Sequence, residues 1–241
     1  MVFRPAVPSD LEQLVELVPK AMVKDPAWPY RFIHRAKFVE DHRRYTEVIW
    51  RSFLSDDYKD WSVFVIEKMI DGKPTILAFS VWNFSYANKT KYGTGDATKS
   101  RKTIFIIITY DDMMKNGGAT RQDADPDRIK AFERSGERCN EHFNKDYGDR
   151  RITLQILGTH PDHTSHGYAT TLCRRGMEIA HKQGLVCTVQ ATSLGHRLYQ
   201  HLGFTDLTEC HIQVPGKQEI IECWAMVWDP KRENTSSAHS C

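Results

Sequence analysis

The stretch Ile152-Thr153-Leu154-Gln155-Ile156-Leu157-Gly158-Thr159-His160-Pro161-Asp162-His163-Thr164-Ser165-His166-Gly167-Tyr168-Ala169 passes from an apolar run, through a polar loop, into a helical pattern. Ile152 to Gly158 reads as a strand. From about Ala169 to Gln183 the spacing of Leu172, Gly176, Ile179 and Ala180 reads as one face of a helix, which Gly184 stops. Such a passage leaves the first-turn N–H groups of the helix without intrahelical partners, and the peptide dipoles add partial positive charge there. That end suits a phosphate, and Gly167 and the small Ala169 let the backbone approach it closely. A further strand, Leu185 to Ala191, follows the helix. Two strands joined by a helical crossover are expected to be parallel neighbours.

Downstream, Leu194 to His201 reads as a short helix closed by Gly203, and Leu207 to Val214 and Ile220 to Trp228 read as strands. Upstream, Val2 to Ala6 is extended, and Ser9-Asp10-Leu11-Glu12 reads as a capping box opening a helix with Leu11, Leu14, Val15 and Val18 on one face. Pro19 is expected to kink or end that helix. Asp25 to Tyr30 is rich in turn residues, Lys37 to Leu54 reads as a second helix, and Trp61 to Met69 and Thr75 to Phe84 form a hairpin about Asp71-Gly72. Ser85 to Tyr147 is looser and ends in a charged helical segment, Pro126 to Tyr147. The order is βααββ, then βαβαββ: an α/β domain over residues 1–230 with an insertion at about 85–147 lying on the sheet, and a polar, disordered tail over 231–241.

The 241 residues are 40% hydrophobic and 27% charged, which excludes disordered and fibrous classes. With 33 Lys and Arg against 31 Asp and Glu, and the two signs interspersed, nucleic acid is not the expected partner. No apolar run nears the roughly 20 residues of a membrane helix, and the first residues lack the pattern of a secretory signal, so a cytoplasmic protein without membrane partners is expected. Six Cys without a C-x-x-C pair suit free thiols.

The run from Leu157 through His160-Pro161-Asp162 to Gly167-Tyr168-Ala169 resembles the acyl-CoA signature of the GNAT N-acetyltransferase superfamily, a strand, His-Pro-Asp, then Q/R-x-x-G-x-G/A. Leu198-Tyr199-Gln200-His201-Leu202-Gly203-Phe204 is similar to that family's L-Y-x-x-x-G-F motif. Phe3-Arg4-Pro5-Ala6 with Ser9-Asp10-Leu11, and the element order, extend the resemblance over most of the chain. The long insertion and Gly148-Asp149-Arg150 look most like members from filamentous fungi. The resemblance implies a GNAT-like mixed, mostly antiparallel sheet flanked by helices and splayed between Ile152 to Gly158 and Leu185 to Ala191, where acyl-CoA enters.

It further implies that Leu157 and Thr159, on either side of Gly158, present backbone groups to the pantetheine arm of acetyl-CoA. N–H groups from Thr164, Ser165, His166, Gly167, Tyr168, Ala169 and Thr170 would cradle the pyrophosphate. Thr164 stands where the family has Gln or Arg, and Ser165 and His166 replace its frequent Gly and Lys/Arg pair, so fixed positive charge is missing there. Backbone amides, hydroxyls or a protonated His166 must compensate. Arg174 and Arg175 are candidates for charge at the mouth, and a weaker CoA affinity than the family's is expected.

Tyr199 matches the family's general acid. Where the family often has a Glu or His as base, this chain has Thr153 and Gln155, neither of which titrates near neutrality. Gln155 is left to orient a water or the amine, and the base candidates Asp111, Asp112 and Glu133 come from the insertion. His160, His163 and His166 sit in a loop rather than on one helix face, so no metal is expected. Trp28, Tyr30 and Trp82 are either acceptor-pocket aromatics or core. The function implied is N-acetyl transfer from acetyl-CoA to a small-molecule amine by direct attack on the thioester, in a monomer or homodimer. The alternatives are a CoA-binding protein without turnover and a protein acetyltransferase.

Overall fold

A computed structural model describes residues 1–56, 60–84 and 117–231. The apolar run at Ile104, the candidates Asp111 and Asp112, and the tail from 232 on lie outside the described residues. The elements run β1 (Val2–Pro5), α1 (Leu11–Met22), α2 (Ala27–Arg31), α3 (Val39–Phe53), β2 (Trp61–Ile70), β3 (Lys73–Asn83), α4 (Pro126–Tyr147), β4 (Arg151–Thr159), α5 (Tyr168–Gln183), β5 (Val186–Thr192), α6 (Ser193–His201), β6 (Thr205–Ile212) and β7 (Ile221–Trp228). The strands form one seven-stranded sheet in the order β1-β2-β3-β4-β5-β7-β6. Every neighbouring pair is antiparallel except β4 with β5, the pair joined by the α5 crossover. The fold is thus the expected mixed α/β class.

Alternation along the strands explains how the sheet is covered. Phe64 and Ile66 of β2 pack on one face with Trp82, Ile152, Leu154, Val189 and the α5 residues Tyr168, Leu172 and Met177. Val63 and Val65 point the other way, with Phe79 and Val81, against Leu14, Leu17 and Val18 of α1 and Trp50 and Phe53 of α3. Further along that second face, α2 and α4 cover β6 and β7 through Ala27, Tyr30, Ala131, Cys139 and Phe143 on Cys210, Ile212, Cys223 and Ala225. Central strands covered on both sides carry near-continuous apolar runs, as β2 and β3 do. Close contact is built in at Gly176 of α5, where a Cβ would lie 2.1 Å from the Trp82 ring. The β2–β3 turn has Asp71 at φ 49° and Gly72 at φ 76°, the paired left-handed residues of a tight hairpin.

Three local expectations are corrected. α1 runs through Pro19 to Met22, because Leu14, Leu17 and Val18 are buried at 4% exposure or less and their burial outweighs one lost backbone bond near the helix end. Asp10, not Ser9, satisfies the entry: its carboxylate accepts the Val7 N–H at 2.8 Å and is gripped by Arg4 at 2.7 and 2.9 Å. The turn-rich Asp25 to Tyr30 holds most of α2, a five-residue helix hidden by Pro26 at its N-cap and Pro29 within it. α4 has the expected bounds, its first N–H groups capped by Asp125, which accepts from Asp127 N at 2.9 Å and Arg128 N at 3.1 Å. Trp28, Tyr30 and Trp82 are core residues, at 8%, 4% and 0% exposure. The five described cysteines are buried free thiols, and no helix among the described residues is long and apolar enough to cross a membrane.

Candidate functional site

The parallel pairing of β4 with β5 begins at Arg151 with Val186 and stops at Leu154 with Val189. Beyond that point β4 stays with β3 as far as Thr159 opposite Ala78, and β5 stays with β7 as far as Thr192 opposite Cys223. The separation starts at a bulge: Val81 pairs with Ile156 and Trp82 with Leu154, so Gln155 has no partner on β3. An extra residue bends its strand and increases the local twist, which turns the end of β4 away from β5. Two cavities open in the resulting gap and share Leu154, Gln155, Gln190 and Thr192.

The larger cavity, about 240 Å³, is walled by Leu157, Gly158 and Thr159 of β4, Thr164 and Ala169 of the following loop and helix, and Leu194, Gly195, Leu198 and Tyr199 of α6. Gly158 is required because a Cβ would stand 2.3 Å from the Phe79 ring. In the loop, Ser165 (φ 64°) and Gly167 (φ 75°) are both left-handed, and nothing lies within 4 Å of a Cβ built on Gly167, so that backbone is open on its outer side. The His166 Nδ1 donates to the Thr164 carbonyl at 2.8 Å, and its ring stacks on Tyr168 at 5.5 Å. Of the anticipated cofactor residues, Leu157, Gly158, Thr159, Thr164 and Ala169 line the cavity; Ser165, His166 and Gly167 in the adjoining turn, and Thr170 in the first turn of α5, do not line it. Tyr168 is turned into the core at 6% exposure.

Positive charge arrives from a place the motif did not indicate. Lys20, in the last turn of α1, and Lys24, in the turn just beyond it, line this cavity. Arg174 and Arg175 do not, and Arg175 bonds Glu178 at 3.1 Å and lies over Phe3 at 5.9 Å. Helical spacing in α1 marks Leu14, Leu17 and Val18 as inward, but nothing local says that its end meets the α5 loop.

Tyr199 lies 6% exposed, tilted against Phe204 at 5.6 Å. Its ring folds back over Gly195, where a Cβ would meet Cε2 at 2.8 Å. Burial, with smaller contributions from Cys173 and Asp25, pushes the phenol pKa well above its ordinary value, so the group stays protonated. Among the described residues none hydrogen-bonds its hydroxyl. Asp25, which the sequence reading missed, accepts from Thr192 Oγ1 at 2.8 Å and Ala27 N at 2.9 Å on the same wall.

The smaller cavity, about 90 Å³, lies beneath α4, whose Phe132, Glu133, Gly136 and Asn140 face Thr153 and Gln155 of β4 and Gln190 of β5. Thr153 is committed to Thr188, hydroxyl to hydroxyl at 2.8 Å. Gln190 Nε2 donates to Ser135 Oγ at 3.0 Å. Glu133 is half-buried, and burial, aided by Glu137, pushes its carboxyl above the ordinary carboxylate value despite Lys130, Arg31 and Arg134. The rings of His160, His163 and His166 are 5.4 and 6.1 Å apart in sequence, and no group of three or more potential metal ligands converges among the described residues.

Neither a protein-family model nor a curated protein matches the chain. Solved structures do. A Corynebacterium glutamicum protein described as histone acetyltransferase HPA2 and related acetyltransferase is 16% identical, with 95% of this chain and 96% of that one covered and a TM-score of 0.52. Mosquito arylalkylamine N-acetyltransferase like 5b is 14% identical, with 95% and 99% covered and a TM-score of 0.52. At such identities the likeness is one of fold, and the chain has the GNAT fold of these acetyltransferases.

Proposed function

We propose that the protein is an N-acetyltransferase that moves an acetyl group from acetyl-CoA to a small-molecule amine by direct attack on the thioester. The observation that carries this reading is the splay at Gln155, where two cavities meet beside a buried, protonated phenol that has no hydrogen-bond partner among the described residues. The larger cavity has the features a CoA arm needs. Exposed backbone edges at Leu157 and Thr159 can hydrogen-bond amides of the arm, and the open turn at Gly167 leads to the free N–H groups of α5. Lys20 and Lys24 supply the fixed charge that Thr164 and Ser165 do not.

In the reaction the amine nitrogen attacks the thioester carbon, the C–N bond forms and the C–S bond breaks. Tyr199 donates its proton to the departing sulfur, the nitrogen sheds one proton as it becomes an amide, and that proton replaces the one Tyr199 lost by way of water; Gln155, at the junction of the cavities, orients the amine or a water. A second reading, a CoA-binding protein without turnover, is favoured by one observation: the polar side chains that β4 turns to the smaller cavity, Thr153 and Gln155, carry no titratable group. Calorimetry with acetyl-CoA, followed by a thiol-release assay over a panel of amines, separates the two. Heat of binding and CoA release with at least one amine are expected. Binding without release for every amine supports the second reading, and no heat at millimolar acetyl-CoA, with the protein shown to be folded, overturns both.

A further inference from the structure

We infer that Glu133 is the base that takes the proton of the attacking amine, and that the chamber beneath α4 is where a compact amine on an apolar stem docks. The inference rests on the transferase reading above. Phe132, Glu133, Gly136, Cys139, Asn140 and Phe143 recur at helical spacing and all line that chamber, so one stripe of α4 forms its roof. Apolar atoms of Phe132, Phe143, Leu154 and Ile212 make walls for a stem, while Glu133, Gln155 and Gln190 make a polar strip for an ammonium head. Because Gln155, Gln190 and Thr192 also line the larger cavity, a nitrogen held on that strip stands at the passage toward the thioester.

Glu133 has the surroundings of a working base. Among the described residues it makes no ion pair and no hydrogen bond. The charges around it are Lys130, Arg134 and Glu137 on its own helix and Arg31 on α2. Arg31 is engaged elsewhere: its guanidinium stacks over the Phe132 ring at 3.8 Å and its Nε donates to Ala27 O at 2.9 Å. The carboxylate is therefore free to bind a cationic amine and to accept a proton from it, which yields the neutral nucleophile. The carboxyl's raised affinity for protons makes that transfer less uphill. Asp25 is the other carboxylate at the cleft, but both its oxygens are engaged, by Thr192 and by the Ala27 N–H.

The test is Glu133→Gln, with Glu133→Asp and Asp25→Asn beside it. Each is assayed for kcat and kcat/KM from pH 5 to 9 with a short alkylamine and with an aniline that is already neutral. With the alkylamine, Glu133→Gln is expected to lower kcat/KM roughly 10²- to 10³-fold and to replace the carboxylate limb and plateau of the profile by a steady rise to pH 9 that follows the neutral fraction of the amine, with partial recovery in Glu133→Asp. With the aniline the loss is expected to be under about tenfold, because no proton has to leave before attack. Calorimetry of the alkylamine onto the acetyl-CoA-loaded protein gives a readout without turnover, and weaker binding by about tenfold in Glu133→Gln is expected. An unchanged profile, equal losses for both amines, or the same change of profile produced by Asp25→Asn instead overturns the inference while leaving the transferase reading in place. Acetyl-CoA binding by the wild type with no CoA release for any amine overturns both.

Discussion

Tyr199 is a packed aromatic whose surroundings fit it for the proposed role of general acid. An aromatic on a short helix ordinarily packs, and this one does, against Phe204 and over Gly195. What sets it apart is a hydroxyl left at the cavity wall, with burial holding it protonated. Tyr199→Phe keeps the ring and removes the donor. The fold and acetyl-CoA affinity should barely change, while kcat falls by roughly 10²- to 10⁴-fold, the worth of a positioned general acid. The loss should sit in kcat rather than KM, since charge on sulfur develops only in the transition state. Full kcat in the variant across pH 6 to 9, with chemistry limiting the rate, would make the tyrosine a packed aromatic. The motif around Tyr199 was legible in the sequence, but Gly195, one turn earlier, was not, because its need is set by where the ring lies in three dimensions.

At the scale of elements, the two helices flanking the splayed strands answer differently to the same substitution. Gly176 of α5 touches Trp82 so closely that a methyl group would stand 2.1 Å from the ring, and Trp82 is 0% exposed and has nowhere to move. Gly176→Ala should destabilise by about 2 kcal/mol or more, overpacking exceeding the helix-propensity gain. Gly136 of α4 has Gln190 Oε1 at 3.5 Å from the same hypothetical Cβ, an ordinary contact. Gly136→Ala should therefore stabilise by about 1 kcal/mol, seen as a midpoint rise of roughly 2 to 4 °C in thermal unfolding. Equal signs for the two variants would mean that α5 is not held against β3 as described. Element bounds were readable from local pattern: the charged segment Pro126 to Tyr147 is α4, and Gly184 closes α5. α2 and the passage of α1 through Pro19 were not, since tertiary burial there overrides local propensity.

Across the whole molecule, buried carboxylates tie sequence-distant segments together and set the response to acid. Asp123, at 0% exposure, accepts from Arg121 at 2.8 Å and bonds His42 Nδ1 of α3 at 2.8 Å; Asp10 bonds Arg4 of β1. Burial alone would push both carboxyls up, but the hydrogen bonds outweigh it and hold both below the ordinary carboxylate value. A folded-state pKa below the unfolded one gives stability that is present above about pH 4 and lost as pH falls through the folded value. Urea unfolding should show that decline below about pH 4, and Asp123→Asn should be less stable at neutral pH with a flatter acid limb. A wild-type profile without any decline would contradict the pairing. The sequence by itself determined the strand-loop-helix passage at Gly158 to Ala169, the parallel crossover and the motif tyrosine, because periodicity, glycine and capping act within a few residues. Only the tertiary structure decided that pairing of β4 and β5 ends beside a bulge at Gln155, that Lys20 and Lys24 reach the cleft, and that Glu133 roofs its second chamber. Those facts depend on which distant elements the sheet order brings together, and no local pattern in the chain encodes a neighbour.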